Sequence, residues 1–246
     1  MRTTCPTGWL LLACISLPLN MSAQSHQSPY EVSVRELKIP LKAKRAFEQG
    51  LERLAKKDTE GSLTHFQQAI VEFAGYYEAY DRIGAADLKL WRIPEAEQAF
   101  RKSIELSAGQ YAHPQIALGA ILVDQEKFTE AESVIRKGLD LDPESWTGQY
   151  YLGLALFGLN RLREAEKSAR EALSRKADFP KAHILLADIH SREKDYEALL
   201  NDLNEYLKLD PDGPDSAWAR TLRESVLRVV SQPPNTSALV QLQQQP

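Results

Sequence analysis

The stretch that decides the fold is residues 80–100, YDRIGAADLKLWRIPEAEQAF, with Tyr80, Ile83 and Gly84 before a short turn and Ala96 and Phe100 after it. Its spacing returns along the chain. Gly50, Gly84, Gly119, Gly153 and Ala187 occupy one position of a period of 34 residues. Twelve residues later stand Ser62, Ala96, Ala131, Ala165 and Leu199; four further on stand Phe66, Phe100, Ile135, Ala169 and Leu203. A period of this length predicts a solenoid, in which each helix–turn–helix unit buries its apolar face against its neighbours.

Five units follow from the register: 43–76, 77–110, 112–145, 146–179 and 180–213, with Tyr111 as one extra residue. The turns read KKDTE, LWRIP, QEKFT, LNRLR and EKDYE. Their fourth residue is Thr59, Ile93, Phe128, Leu162 or Tyr196, mostly apolar and placed to pin the turn as a hydrophobic staple does. Pro94 falls where a second helix begins, and Asp142-Pro143 and Asp210-Pro211 close units. Residues 214–230 predict an amphipathic capping helix, with Trp218, Leu222, Val226 and Val229 on one face.

The flanks differ in character. Residues 1–23 read as a signal peptide: Arg2, an apolar run from Trp9 to Leu19, then Ser22-Ala23. Leu11-Leu12-Ala13-Cys14 also resembles a lipobox, and lipidation at Cys14 is the one route by which a membrane contact is expected. Cleavage after Ala23 would remove Cys5 and Cys14, the only cysteines, and with them disulfide, thiol and cysteine–metal chemistry. Residues 24–42 read as an extended lead-in, in which Tyr30, Val32 and Val34 alternate with polar residues and Pro40 prepares the first helix. The segment 231–246, rich in Gln and Pro, reads as a disordered tail. These features predict an exported chain, periplasmic or extracellular.

The residues are similar to the tetratricopeptide repeat family. Tyr80, Ile83-Gly84, Ala96 and Phe100 match its pattern, as do Tyr151-Leu152-Gly153, Ala165 and Ala172, with Pro143 and Pro211 at the closing proline position. The resemblance, to an exported bacterial type, implies an all-α, right-handed superhelical solenoid of five repeats plus a cap. It also implies a concave groove lined by the first helix of each unit, which holds a protein or peptide segment. Carried over residue by residue, the partner-binding groove comprises Phe47, Arg82, Lys89, Ile116, Tyr150, Tyr151, Leu154, Phe157, Ile184 and Arg192. Tyr150, Tyr151 and Phe157 are the expected anchors, since aromatic side chains dominate interface energetics. The asparagines of the family's carboxylate clamp are missing from the groove positions, so capture of an acidic C-terminus is not expected.

A formal charge of −4, with basic residues interleaved among acids, predicts no nucleic-acid partner. No phosphate-binding loop, nucleophile elbow or dinucleotide fingerprint is present, so no enzyme activity and no cofactor are expected. His183 and His190 stand two helical turns apart, about 10 Å, too far to chelate one ion, and no metal site is expected. Two roles stay open: a scaffold gripping a partner in the groove, or an assembly factor of the cell envelope acting through outer faces or termini.

Overall fold

The computed structural model describes residues 38–231. The expected signal at 1–23, the alternating segment 30–34 and the tail from residue 232 lie outside the described residues. Eleven helices and no strand occur among the described residues. They are α1 (Leu41–Ala55), α2 (Thr59–Glu72), α3 (Tyr77–Lys89), α4 (Ile93–Leu106), α5 (Ala112–Asp124), α6 (Phe128–Leu141), α7 (Trp146–Gly158), α8 (Leu162–Arg175), α9 (Pro180–Glu193), α10 (Tyr196–Leu209) and α11 (Ser216–Ser231). None is long and apolar enough to cross a membrane.

The first ten pair in order as hairpins, α1 with α2 through α9 with α10. The period explains the close approach within each pair. A Cβ at Gly50 would lie 2.5 Å from the Phe66 ring, and one at Gly119 would lie 2.2 Å from Ile135 Cγ1. The small residue of the first helix thus receives the bulky residue sixteen positions later, inside the same hairpin. Phe66, Phe100 and Ile135 are fully buried as a result.

Every turn uses the same device. Lys57, Trp91, Glu126, Asn160 and Lys194 all take a left-handed backbone conformation, with φ between 59° and 61°. The next residue's amide then reaches back to the last helical turn: Asp58 to Arg53, Arg92 to Asp87, Lys127 to Leu122, Arg161 to Leu156 and Asp195 to His190. This closure satisfies carbonyls left over at the helix end, in the manner of a Schellman motif. Thr59, Ile93, Phe128, Leu162 and Tyr196 each open a second helix, and Ile93, Phe128 and Leu162 pack against the main core. Asp58, Ser145 and Asp195 cap α2, α7 and α10 by accepting from Gly61, Gly148 and Ala198 amides.

From the second unit onward the first helices touch one another, α3 with α5, α5 with α7 and α7 with α9. The second helices make no comparable contact with each other, which puts the first helices on the inner side of the curve. Two ends depart from expectation. Helix α1 starts at Leu41, directly after Pro40 at φ −57°, two residues sooner than the register suggests. In the cap, Ala219, Val226, Trp218 and Leu222 cover α10 through Leu199, Leu203 and Tyr206, whereas Val229 is 59% exposed.

Candidate functional site

The ten groove positions lie on the first helices α1, α3, α5, α7 and α9. Their depth differs. Tyr150 and Tyr151 are 2% and 3% exposed, and Ile116 is also buried. Tyr150 packs edge-on against Phe179 at 4.9 Å and against Tyr151 at 5.3 Å, so both rings serve the core between repeats four and five. The reason is that α7 is apolar on nearly all sides and sits between neighbours on both flanks. Phe47 is half-buried, stacked on Tyr76 at 4.9 Å.

Leu154, Phe157 and Ile184 are half-buried, packing on core residues while keeping part of their surface in solvent. Leu51 and Ala85 stand in register with Leu154 and are half-buried too. Arg192 lays its guanidinium 3.9 Å from the centre of the Phe157 ring and reaches Asn160 Oδ1. Lys89 and Arg192 are exposed, and Arg82 has a buried Nε without a hydrogen-bond partner. Asp124, in register with Lys89 and Arg192, is half-buried; burial raises its carboxyl above the ordinary range, and its Oδ1 has no hydrogen-bond partner. The inner wall therefore combines an apolar strip, a stacked cation–aromatic pair and flanking charges.

Sequence reasoning missed two polar clusters. Asp81, fully buried, stands in register with Phe47, Ile116, Tyr150 and Ile184. Its Oδ1 lies 2.6 Å from His113 Nδ1, and its Oδ2 accepts from the Tyr111 hydroxyl at 3.3 Å. The extra residue of the array is thus the one that completes this cluster. Gln115 holds the same loop by donating to the Gly109 and Tyr111 carbonyls. In the last repeat, Asp202 receives His183 at 3.3 Å and His190 at 2.8 Å, each through Nδ1. The two histidines meet through this carboxylate. The seven-residue spacing was visible, but the aspartate lies on another helix.

The opposite side carries a depression of about 580 Å³ between α6 and α8, floored by Leu152 and Leu156 of α7. Arg136, Asp140, Glu164 and Lys167 rim it, a mixed-charge lining unlike that of the inner wall.

Known proteins fit this architecture. A tetratricopeptide repeat profile matches residues 116–177 and 152–214. No curated protein matches the chain. Among solved structures, PilF of Pseudomonas aeruginosa is similar over 76% of this chain and 84% of its own, with 17% identity and a TM-score of 0.65. MamA of Desulfovibrio magneticus RS-1, from residue 41 to its end, is similar over 72% of this chain and 99% of its own, at 19% identity and a TM-score of 0.62. YrrB, described as a TPR protein with an unusual peptide-binding site, is similar over 73% and 92%, at 17% identity and a TM-score of 0.61. The repeated register, the hairpin array and the profile match together make this chain a member of the tetratricopeptide repeat family, whose members generally mediate protein–protein interactions.

Proposed function

We propose that the protein is a non-enzymatic scaffold that binds a partner polypeptide segment along the inner wall. The supporting observation is the half-exposed strip of Leu51, Ala85, Leu154 and Ile184, continued by Phe157 under Arg192. Such a strip takes apolar side chains of a segment, while Lys89 and Arg192 set its direction through charge. The likeness to YrrB supports this at the level of the fold. Tyr150 and Tyr151 act by holding α7 in place, and the anchoring contacts fall to Leu154 and Phe157. Export by residues 1–23 belongs to the same proposal, with the partner met outside the cytoplasm.

The test places a photo-crosslinking amino acid at Lys89 or Leu154 on the inner wall and at Lys137 on α6 as an outer control. The chain is expressed in its own host, and adducts are identified by mass spectrometry. One partner joined at both inner positions, absent at Lys137, and lost in Phe157→Ala/Arg192→Ala with unchanged helicity is the expected result. Adducts at Lys137 alone would overturn the groove reading in favour of assembly through outer faces.

A further inference from the structure

The last repeat carries a histidine where its neighbours carry leucine. His190 is in register with Leu122 and Leu156, which are 0% and 1% exposed, and is itself 3% exposed. The first two repeats carry Arg53 and a buried Asp87 in this column, so a polar side chain is accepted here when it finds a partner. The Asp202 carboxylate, 2.8 Å from Nδ1, is an acceptor, so it sets the ring hydrogen on Nδ1. Nε2, the other ring nitrogen, lies 3.5 Å from Oε1 of Glu166 on α8. When Nε2 carries no proton, two electron-rich atoms face each other across this gap, which suits a cation between them. Glu193, three residues on along α9, offers a third such atom; one donor atom from each of the three residues lies within 4.8 Å of the others.

We propose that Glu166, His190 and Glu193 form a binding site for a divalent transition-metal ion such as zinc, with Asp202 as the positioning residue behind His190. The spacing suits the ion. Zinc takes nitrogen and oxygen ligands at about 2.0–2.2 Å, and two tetrahedral ligands at that range stand about 3.4 Å apart. The 3.5 Å between His190 Nε2 and Glu166 Oε1 matches it. Glu193 is exposed and closes the remaining gap by turning its side chain. Metal-bound histidines generally give their other ring N–H to a carboxylate, the arrangement Asp202 provides. The other Asp202 oxygen faces His183, which steadies the carboxylate. His190 and Glu193 also occupy the last turn of α9, where the helix dipole favours positive charge.

Arg170 is the competitor, since it pairs with Glu166 Oε1 at 2.7 Å. Its side chain is 60% exposed, so giving up this pair costs little. Three protein donors leave a fourth position for water. Bound metal ties α8 to α9, and so joins the fourth repeat to the fifth.

The experiment is calorimetric titration of zinc chloride into the full, untagged chain, beside Glu193→Gln and Asp202→Asn. Wild type is expected to bind one zinc ion at this site and to melt at a higher temperature with zinc present. Glu193→Gln, an exposed change that leaves the helices intact by circular dichroism, weakens that binding at least about tenfold and removes the melting shift. Asp202→Asn weakens it about 10- to 100-fold. Long-range proton–nitrogen spectra show the His190 Nε2 resonance moving with zinc. Unchanged zinc binding in Glu193→Gln, an unmoved His190 resonance, or no binding in wild type overturns the proposal, and the last two leave His190 as a proton-bearing core residue.

Discussion

Gly119→Ala puts the close approach inside a hairpin to a direct test. The added Cβ lies 2.2 Å from Ile135 Cγ1 and 2.9 Å from Cδ1, where ordinary contact begins at 3.4 Å. Ile135 is fully buried and branched at Cβ, so it has little room to move. Overpacking of this kind costs about 1–3 kcal/mol, and the gain in helix propensity from Gly to Ala returns about 1 kcal/mol. The overlap of more than about 1 Å argues for the upper half of the cost, giving a net loss of about 1–2 kcal/mol. Gly153→Ala is the control. In that unit Ala169 replaces the bulky residue, and the added Cβ meets Leu185 Cδ2 at 3.0 Å and the Ala165 carbonyl oxygen at 3.3 Å. Leu185 Cδ2 ends a flexible side chain, so the net effect falls within about 1 kcal/mol of zero. Urea unfolding followed at 222 nm measures both, with the slope checked for constancy. Ile135→Ala alone costs about 2–5 kcal/mol. In Gly119→Ala/Ile135→Ala the clash is gone, so the pair loses about 1–3 kcal/mol less than the sum of the single losses. Strict additivity, or a stabilised Gly119→Ala, would refute the reasoning.

The left-handed turn residues and the buried carboxyl on the inner wall give two further expectations. Glu126, exposed at φ 59°, carries a side chain where glycine has none of the steric penalty; Glu126→Gly raises stability by about 0.5–1 kcal/mol after the entropy of glycine is subtracted, and a lowered melting temperature would contradict it. Asp124 has a folded-state pKa raised above 3.8 by burial, so the folded chain holds its proton more tightly than the unfolded one. Stability from this group is therefore lost as pH rises from 3.8 through the raised value, and Asp124→Asn stabilises most at neutral pH, with the advantage shrinking on acidification. Denaturation midpoints of both proteins between pH 3 and pH 7, about the range the linkage needs, decide it; an advantage that grows toward acid pH would be the wrong sign.

The array was legible because its period repeats the same contact, Gly50 with Phe66, Gly84 with Phe100 and Gly119 with Ile135. The turn staples were legible for the same reason. The left-handed turn residues were not, since none of the five is glycine and the backbone closure leaves no mark on residue type. Depth on the inner wall was hard to read where helices are apolar all round. Pro114 to Val123 of α5 are all buried, and α7 behaves likewise, so a periodic pattern cannot tell core from groove at Ile116, Tyr150 or Tyr151. Asp81 and His190 escaped because their partners sit on other elements: Asp81 finds His113 thirty-two residues away, and His190 finds Asp202 and Glu166 on the two flanking helices. A register comparison does flag Asp81, the one polar residue in a column otherwise filled by Phe47, Ile116, Tyr150 and Ile184, but not His190, whose column also holds Arg53 and Asp87 beside Leu122 and Leu156.

The unequal contacts of the two helix layers give the array the mechanics of a bent beam. Its inner fibre, α3 through α9, is held by direct helix contact. Its outer fibre is spanned by ion pairs, Arg92 with Glu60 and Arg101 with Glu130, both exposed, and the half-buried Arg161 with Glu132. Such ties relax as the screening length falls from about 8 Å at physiological salt to about 3 Å at 1 M. Ionic strength then changes the radius of curvature and the span between the two ends, while each hairpin keeps its own shape.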